Sequence, residues 1–185
     1  MPRKQARSTK PDRVTEAAIP AEQLDAPFPK LSLATKPPFP PMEAKLVDEI
    51  PSGPRWQYEP KWDGFRCLVF KDGDQVVLQS KAGQPLGRYF PELVEAVRTV
   101  KAEHFIIDGE IVIELDGRLS FDDLLQRIHP AASRISKLSK STPSTLLVFD
   151  LLLDAKGKSL VTESLEVRRK HLGEFFRTIR SDRIK

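Results

Sequence analysis

The alternation of hydrophobic and polar positions predicts strands at the start of the folded region. The stretch "RWQYE" (55–59) carries aromatic residues at alternate positions, which is typical of a strand, and Pro60 ends it. The stretch "FRCLVFKDGDQVVLQS" (65–80) contains two apolar runs separated by Asp72 and Gly73. Asp-Gly between two such runs is a strong hairpin signal. We therefore expect a single strand followed by an antiparallel hairpin.

The rest of the chain predicts further strands with helices between them. Two β segments are expected in "FIIDGEIVIELDGRLS", the second being a hairpin closed by Asp116-Gly117, and "TLLVFDLLL" is apolar enough for a buried strand. Helices are expected in "FPELVEAVRTV", in "SFDDLLQRI" and in "SLEVRRKHLGEFF". Ser120 and Asp123 have the spacing of a capping box at the second of these. The predicted class is α+β, a mostly antiparallel sheet with packed helices.

The first forty residues differ in composition from the rest. Basic residues fill "MPRKQARSTKPDR", and prolines stand at positions 27, 29, 37, 38, 40 and 41. Dense proline disfavours helix and supports extended chain. We expect residues 1–40 to form a disordered, basic and proline-rich tail that begins to dock near Phe39–Met42, and residues 41–185 to form the folded part.

Composition narrows the function classes without selecting one. The formal charge of +4 and the pI of about 9.2 permit a nucleic-acid partner. Cys67 is the single cysteine, so no internal disulfide can form, and a reducing cytoplasm is the expected compartment. The basic N-terminus has no apolar core of a signal peptide, and no apolar run is long enough for a bilayer, so we expect no membrane partner.

Charged residues interrupt the apolar pattern at three places. Lys61 lies beside the Asp63-Gly64 turn just before a buried strand; by itself, such a lysine is normally a solvated surface residue. Asp108-Gly109-Glu110 forms an expected second acidic turn between apolar runs, and Asp150 stands within the most apolar stretch. A buried carboxylate must be paired or face a functional pocket. Taken singly, Asp108 would also fit a simple turn and Asp150 a cap on a backbone amide, but three such sites on neighbouring strands favour a functional interpretation.

The order of these motifs resembles a known family. Lys61-Trp62-Asp63-Gly64-Phe65-Arg66 fits K-x-D-G-x-R, the D-G-E triplet at 108–110 follows, and an apolar strand with Phe149-Asp150 comes third. Ser80-Lys81-Ala82-Gly83 resembles the segment usually written S-R-x-G, with lysine replacing arginine. Over about residues 42–176 the chain resembles the nucleotidyltransferase domain of ATP-dependent DNA ligases, especially bacterial ligases of repair and end joining.

The resemblance implies a partial ATP-grasp-like nucleotidyltransferase domain and a role for each matched residue. Lys61 would attack the α-phosphate of ATP as a neutral amine, held near cations and partly dehydrated, to form a covalent lysyl-AMP. Asp63 would lie beside it as the second catalytic residue. The implied ATP-binding residues are Glu59 at the adenine edge, Lys61, Arg66 and Glu110 near the ribose, Lys81, and Phe149 stacked on the adenine. Glu110 would also bind Mg²⁺.

The chain also departs from the family's pattern. The family's later Glu-Gly and Lys-x-Lys motifs, and its OB-fold, are not recognised after Phe149, so we expect the N-terminal part of an adenylation domain. The implied DNA substrate is a nicked double strand, and the expectation is no sealing unless a second polypeptide supplies the missing motifs. Three alternatives stay open: an RNA ligase, an mRNA-capping guanylyltransferase, and a non-catalytic nucleotide- or DNA-binding remnant.

Overall fold

A four-stranded antiparallel sheet forms the centre of the protein. The computed structural model describes residues 28–54 and 56–185. The strand order in this sheet is β2-β1-β3-β6, and a separate small hairpin pairs β4 with β5. The six strands are β1 (Phe65–Asp72), β2 (Gln75–Ser80), β3 (His104–Val112), β4 (Glu114–Leu115), β5 (Arg118–Leu119) and β6 (Thr145–Leu153). The predicted α+β class, with both Asp-Gly hairpins, is confirmed.

Four helices pack around the sheet. They are α1 (Pro91–Arg98), α2 (Phe121–Leu125), α3 (Ala132–Ser141) and α4 (Leu165–Phe176). The Ser120 hydroxyl accepts a hydrogen bond from the Asp123 amide at 3.3 Å, which confirms the predicted N-cap of α2. Helix α3 was not predicted, because Ala131 provides no side-chain cap and Ile135 is the one buried residue of that helix. Within the described residues, no helix is long and apolar enough to span a membrane.

The two faces of the sheet carry two separate apolar clusters. The larger cluster lies under the helices and includes Phe65, Cys67 and Val69 from β1. Leu68 and Phe70, the alternate residues of the same strand, belong to a smaller cluster on the opposite face. This smaller cluster is completed by Leu31 and Leu33, together with Val77, Ile106, Leu152 and Leu153. The N-terminal segment therefore covers the sheet face that lacks helices.

Two local predictions were wrong. Residues 56–63 form no strand, and Trp56 and Tyr58 are exposed. Alternation alone does not make a strand, because a strand needs a partner for its backbone hydrogen bonds, and this segment is not among the strands that pair in the sheet. Asp108-Gly109-Glu110 is not a turn but lies inside β3. Its backbone is extended because neighbouring strands pair with it on both sides.

Packing of the N-terminal segment begins earlier than expected. Docking was expected near Phe39–Met42, yet Leu31 and Leu33 are already buried against the sheet. In extended chain, two leucines two residues apart present one apolar face. The high proline content of the segment gave no indication of this face. The part of the expected tail in residues 1–27 lies outside the described residues.

A buried ionic network joins the helices beside the sheet. Arg127 is fully buried and donates to both carboxylate oxygens of Glu92, at 2.7 and 2.8 Å. It also donates to the Tyr89 carbonyl at 2.7 Å. Ser144 donates to Glu92 through its amide at 3.0 Å and its hydroxyl at 2.7 Å. Burial alone would raise the pKa of Glu92, but Arg127 and Ser144 outweigh it and lower the pKa.

Replacing Arg127 should strongly destabilise the fold. Arg127→Ala leaves the mostly buried Glu92 carboxylate without its cation, which costs about 3–5 kcal/mol of unfolding free energy. Arg98→Ala is the matched control: it removes an exposed pair with Glu95 and should change stability by less than about 1 kcal/mol. Urea denaturation at neutral pH measures both, and equal effects would contradict the assigned importance of this network.

The same network should make stability depend on pH. Because the folded-state pKa of Glu92 lies below its usual value of 4.5, the stabilisation is present above that pH. It is lost as the pH falls through the folded-state pKa. The difference in unfolding free energy between the wild type and Glu92→Gln should therefore shrink on acidification, as measured by urea denaturation across this range.

Candidate functional site

An arginine and an aspartate form an ion pair on the sheet face that lacks helices. In the register of β1 and β3, Arg66 lies opposite Glu110, and Leu68 lies opposite Asp108. Arg66 Nε donates to Asp108 Oδ1 at 2.6 Å, and Nη2 donates to Oδ2 at 2.7 Å. Two parallel bonds fix the plane of the guanidinium as well as its position. Asp108 is buried, so the pair sits in a partly dry environment.

A β-bulge directs Phe149 towards this ion pair. Asp108 pairs with Asp150, and the next residue, Gly109, pairs with Val148, so Phe149 is the extra residue of β6. A bulge reorients the side chain at the point where it interrupts the ladder. The Arg66 guanidinium carbon lies 4.5 Å from the centre of the Phe149 ring. Arg66 is thus held by a carboxylate and by an aromatic face together.

Burial and the neighbouring charge shift the pKa values of Arg66 and Asp108 in opposite directions. Burial raises the pKa of Asp108 above its usual range, and the Arg66 guanidinium offsets only part of that effect. Burial would lower the pKa of Arg66, but its bonds to Asp108 and the nearby carboxylates of Glu110 and Glu59 outweigh this and raise the pKa. Arg66 therefore stays cationic, and Asp108 depends on Arg66 to stay ionised.

Asp150 has a structural partner. Arg168 Nε donates to its two oxygens at 2.9 and 3.0 Å, and the Leu151 amide donates to Oδ1 at 2.9 Å. Arg168 also donates to the Glu163 carbonyl at 2.7 Å. The sequence allowed either an ion pair or a functional pocket for the Asp150 carboxylate, and the structure shows the ion pair. Asp150 fixes α4 to β6 and does not face the candidate site.

Other predicted site residues are engaged at the periphery. Glu59 accepts a hydrogen bond from Arg169 of α4, and Lys81 lies 3.7 Å from Glu43. Lys61 and Asp63 are exposed in the irregular segment that leads into β1. The expected partial dehydration of Lys61 is not observed, because no element covers this segment in the structure. Arg66, Glu110 and Phe149 are brought together on the sheet, whereas Lys61 lies on the adjoining loop.

Two glycines allow the strands of the site to approach closely. A Cβ on Gly64 would stand 2.3 Å from the Ile111 carbonyl oxygen. A Cβ on Gly109 would stand 2.6 Å from the Leu147 carbonyl oxygen, beside the bulge at Phe149. Real Cβ atoms do not come so near a backbone oxygen, so glycine is required at both positions.

The residues suit a magnesium ion only in its usual phosphate-bound form. The described residues contain no cluster of three or more His, Cys, Asp or Glu side chains that could hold a metal by themselves. Mg²⁺ is commonly held by one or two carboxylates together with water and substrate phosphates. Glu110 lies opposite Arg66 in the register of β1 and β3 and is a carboxylate of this face that fits such an ion.

A Lys-x-Lys triplet does occur after Phe149, contrary to the sequence-based expectation. Lys156-Gly157-Lys158 lies in the turn after β6, where Lys156 and Lys158 donate backbone hydrogen bonds to Asp154. Lys158 also pairs with Glu163 at 3.1 Å. Leu153, the last residue of β6 before this turn, pairs with Ile106, and Ile106 lies roughly 13 Å along β3 from Glu110. This triplet is therefore a turn and not part of the candidate site.

The sheet, the ion pair beside an aromatic ring and the adjoining lysine loop make up the candidate site, and the family match places the chain in the nucleotidyltransferase class. A family model described as ATP dependent DNA ligase domain matches residues 41–185. The chain belongs to the ATP-dependent DNA ligase family. Its predicted resemblance is confirmed, and the DNA-ligase branch is supported over the RNA ligase and capping-enzyme alternatives.

Curated relatives agree with this family. DNA ligase C1 of Mycolicibacterium smegmatis is 50% identical over 150 residues, covering 78% of this chain and 42% of the relative. DNA ligase C of Mycobacterium tuberculosis is 52% identical over 122 residues, covering 66% and 34%. The crystal structure of the ligase domain from M. tuberculosis LigD superposes with a TM-score of 0.49 at 28% identity, covering 64% and 35%. The chain spans about two fifths or less of these proteins.

Adding a methyl group at Gly109 should disturb the strand pairing that presents Phe149. Gly109→Ala forces β3 and β6 apart, and overpacking of this kind costs about 1–3 kcal/mol. Gly173→Ala is the control, since nothing lies within 4 Å of its Cβ in α4, and it should stabilise the helix by up to about 1 kcal/mol. Urea denaturation measures the unfolding free energy of both variants. An unchanged unfolding free energy in Gly109→Ala would show that β3 and β6 are not held this closely.

Proposed function

We propose that this chain carries the adenylylation chemistry of an ATP-dependent DNA ligase. The Lys61 amine attacks the α-phosphorus of ATP, a phosphoramide bond forms, and pyrophosphate leaves. AMP then passes to the 5′-phosphate of nicked double-stranded DNA, and the 3′-hydroxyl displaces AMP to seal the nick. The observation that supports this most directly is the grouping of Arg66, Glu110 and Phe149 on one sheet face beside the lysine loop.

Arg66 and Phe149 would form the nucleoside end of the site. The Phe149 ring offers a π face for a purine, and stacking of this type contributes both packing and orientation. Arg66 already stacks on that ring, so it would stand beside the bound ribose with its plane fixed by Asp108. Positioning that exists before the nucleotide arrives reduces the ordering cost of binding.

Glu59 and Lys81 would exchange protein partners for the nucleotide. Glu59 now pairs with Arg169, and Lys81 with Glu43, and the side chains of Glu59 and Lys81 are each about half exposed. Exposed ion pairs contribute little net stability, so replacing them with adenine or phosphate contacts costs little. Glu59 would contact the adenine edge, and Lys81 would contribute to ATP binding, while Asp63 would act beside Lys61.

Glu110 would hold Mg²⁺ together with phosphate oxygens and water. Such an ion supplies positive charge that offsets the charge on the phosphates. The positive field of Arg66 lies across the ladder from Glu110. Lys61 would attack as a neutral amine, which is the nucleophilic form of a lysine.

The DNA steps would need more positioning than the described residues supply. Basic residues of α4 and the C-terminal segment can contact phosphates, a weak and salt-sensitive form of binding. Effective positioning of reactants can account for many orders of magnitude in rate. We propose that these steps need the family's Glu-Gly and Lys-x-Lys motifs and OB-fold, which can be supplied to these 185 residues as a second polypeptide, and that they take place in a bacterial cytoplasm at the nucleoid.

Lys61 should be the site of covalent labelling by ATP. Incubation with α-³²P-labelled ATP and magnesium should place acid-labile label on the wild-type chain, at trace level alone and strongly with the second polypeptide. Lys61→Ala should carry none, and Lys61→Arg should be equally inactive because a guanidinium stays protonated. Lys45→Ala, an exposed lysine upstream, is the control and should label normally. Label on Lys61→Ala would place the nucleophile elsewhere, and label from GTP in place of ATP would favour a capping enzyme.

Nick sealing should depend on both polypeptides. A labelled nicked oligonucleotide with ATP and magnesium should remain unsealed with this chain alone, because the DNA is not positioned. Sealing should appear when the second polypeptide is added, and it should fail again with Lys61→Ala. The measurement is the fraction of the labelled nicked oligonucleotide that is converted to the sealed strand, read on a gel. Robust sealing by the 185-residue chain alone would contradict the need for a partner, and no sealing in any combination would favour the non-catalytic remnant.

A further inference from the structure

The N-terminal segment lies on the same sheet face as the candidate ATP residues. We define residues 28–43 as the N-terminal strap. Leu31 and Leu33 are 3% and 5% exposed and pack on the small cluster of this face. The Ser32 amide donates to Asp72 at the far end of β1, at 2.5 Å. The strap is thus anchored at its first half, although its prolines prevent regular secondary structure.

A buried glutamine of β2 fixes the middle of the strap. Gln79 is 0% exposed. Its Oε1 accepts from the Phe39 amide at 2.8 Å, and its Nε2 donates to the Phe39 carbonyl at 2.6 Å. A side-chain amide can satisfy a backbone donor and a backbone acceptor together, as a neighbouring strand would. Gln79 therefore holds Phe39 in a fixed position above the sheet.

From this fixed point the strap reaches the predicted nucleotide residues. The Met42 carbonyl accepts from Arg66 Nη2 at 3.3 Å. The next residue, Glu43, lies 3.7 Å from Lys81. Arg66 also bonds to Asp108 and stacks on Phe149. Its guanidinium is therefore held by the strap on one side and by the sheet on the other. The strap therefore contacts two of the residues proposed to bind ATP.

We propose that Gln79 is a positioning residue for ATP binding, acting through the N-terminal strap and Arg66. This inference rests on the proposed function. A buried side-chain amide that lost the strap would be left without both partners, and the strap would lose its central attachment. The Met42 carbonyl would then no longer hold Arg66 across Phe149. The nucleotide site accordingly includes a segment that begins well before the Lys61 motif.

The test separates release of the strap from loss of ATP binding. Gln79→Met keeps the side-chain length but removes both hydrogen bonds. It should weaken equilibrium binding of radiolabelled ATP about tenfold and speed tryptic cleavage after Lys30, measured by mass spectrometry of the released fragment. Gln75→Met, at the exposed end of the same strand, is the matched control and should change neither quantity.

Two more variants keep the outcome decisive. Leu33→Asp releases the strap without altering β2, and it should weaken ATP binding to a similar extent even if Gln79→Met folds poorly. Phe149→Ala should weaken ATP binding while cleavage after Lys30 stays slow. Fast cleavage with unchanged ATP affinity in the strap variants would overturn the inference alone. A wild-type chain that does not bind ATP would overturn the proposed function as well.

Discussion

The Arg66–Asp108 ion pair is the contact on which the candidate site depends. It joins β1 to β3 across the face of the sheet, and it holds a guanidinium against the Phe149 ring. A carboxylate as buried as Asp108 is costly to ionise, and Arg66 supplies the compensating charge. The sheet therefore sets the main orientation of Arg66, the strap adds a further contact through the Met42 carbonyl, and a nucleotide would meet groups that are already oriented.

The backbone around this pair is as specific as the side chains. The bulge in β6 makes Phe149 the extra residue between Val148 and Asp150, so the ring and the neighbouring carboxylate serve different partners. Gly109 permits the close approach of β3 and β6 at that same point. The bulge interrupts the regular ladder at this point and lets the Phe149 ring lie beside Arg66.

The opposite face of the sheet and the helices provide rigidity without taking part in the chemistry. The Arg127–Glu92 network ties α1 to the segment before β6, and Arg168–Asp150 ties α4 to β6. Both arginines are buried, and both satisfy backbone carbonyls as well as a carboxylate. Such pairs fix one arrangement of the elements because alternatives would leave a buried charge unpaired. Of the proposed site residues, Lys61 and Asp63 lie on an exposed segment outside this framework.

The sequence by itself determined the strands of the main hairpin, three of the helices and the motif positions, because these depend on local periodicity, turn residues and caps. It did not determine that residues 56–63 lack a strand, since that depends on which sheet edges are already occupied. Nor did it assign Asp150 to Arg168, Asp108 to Arg66, or Gln79 to the backbone of Phe39. Each of these contacts joins residues far apart in sequence, and only the tertiary structure, through strand register and the bulge at Phe149, decides which side chains meet.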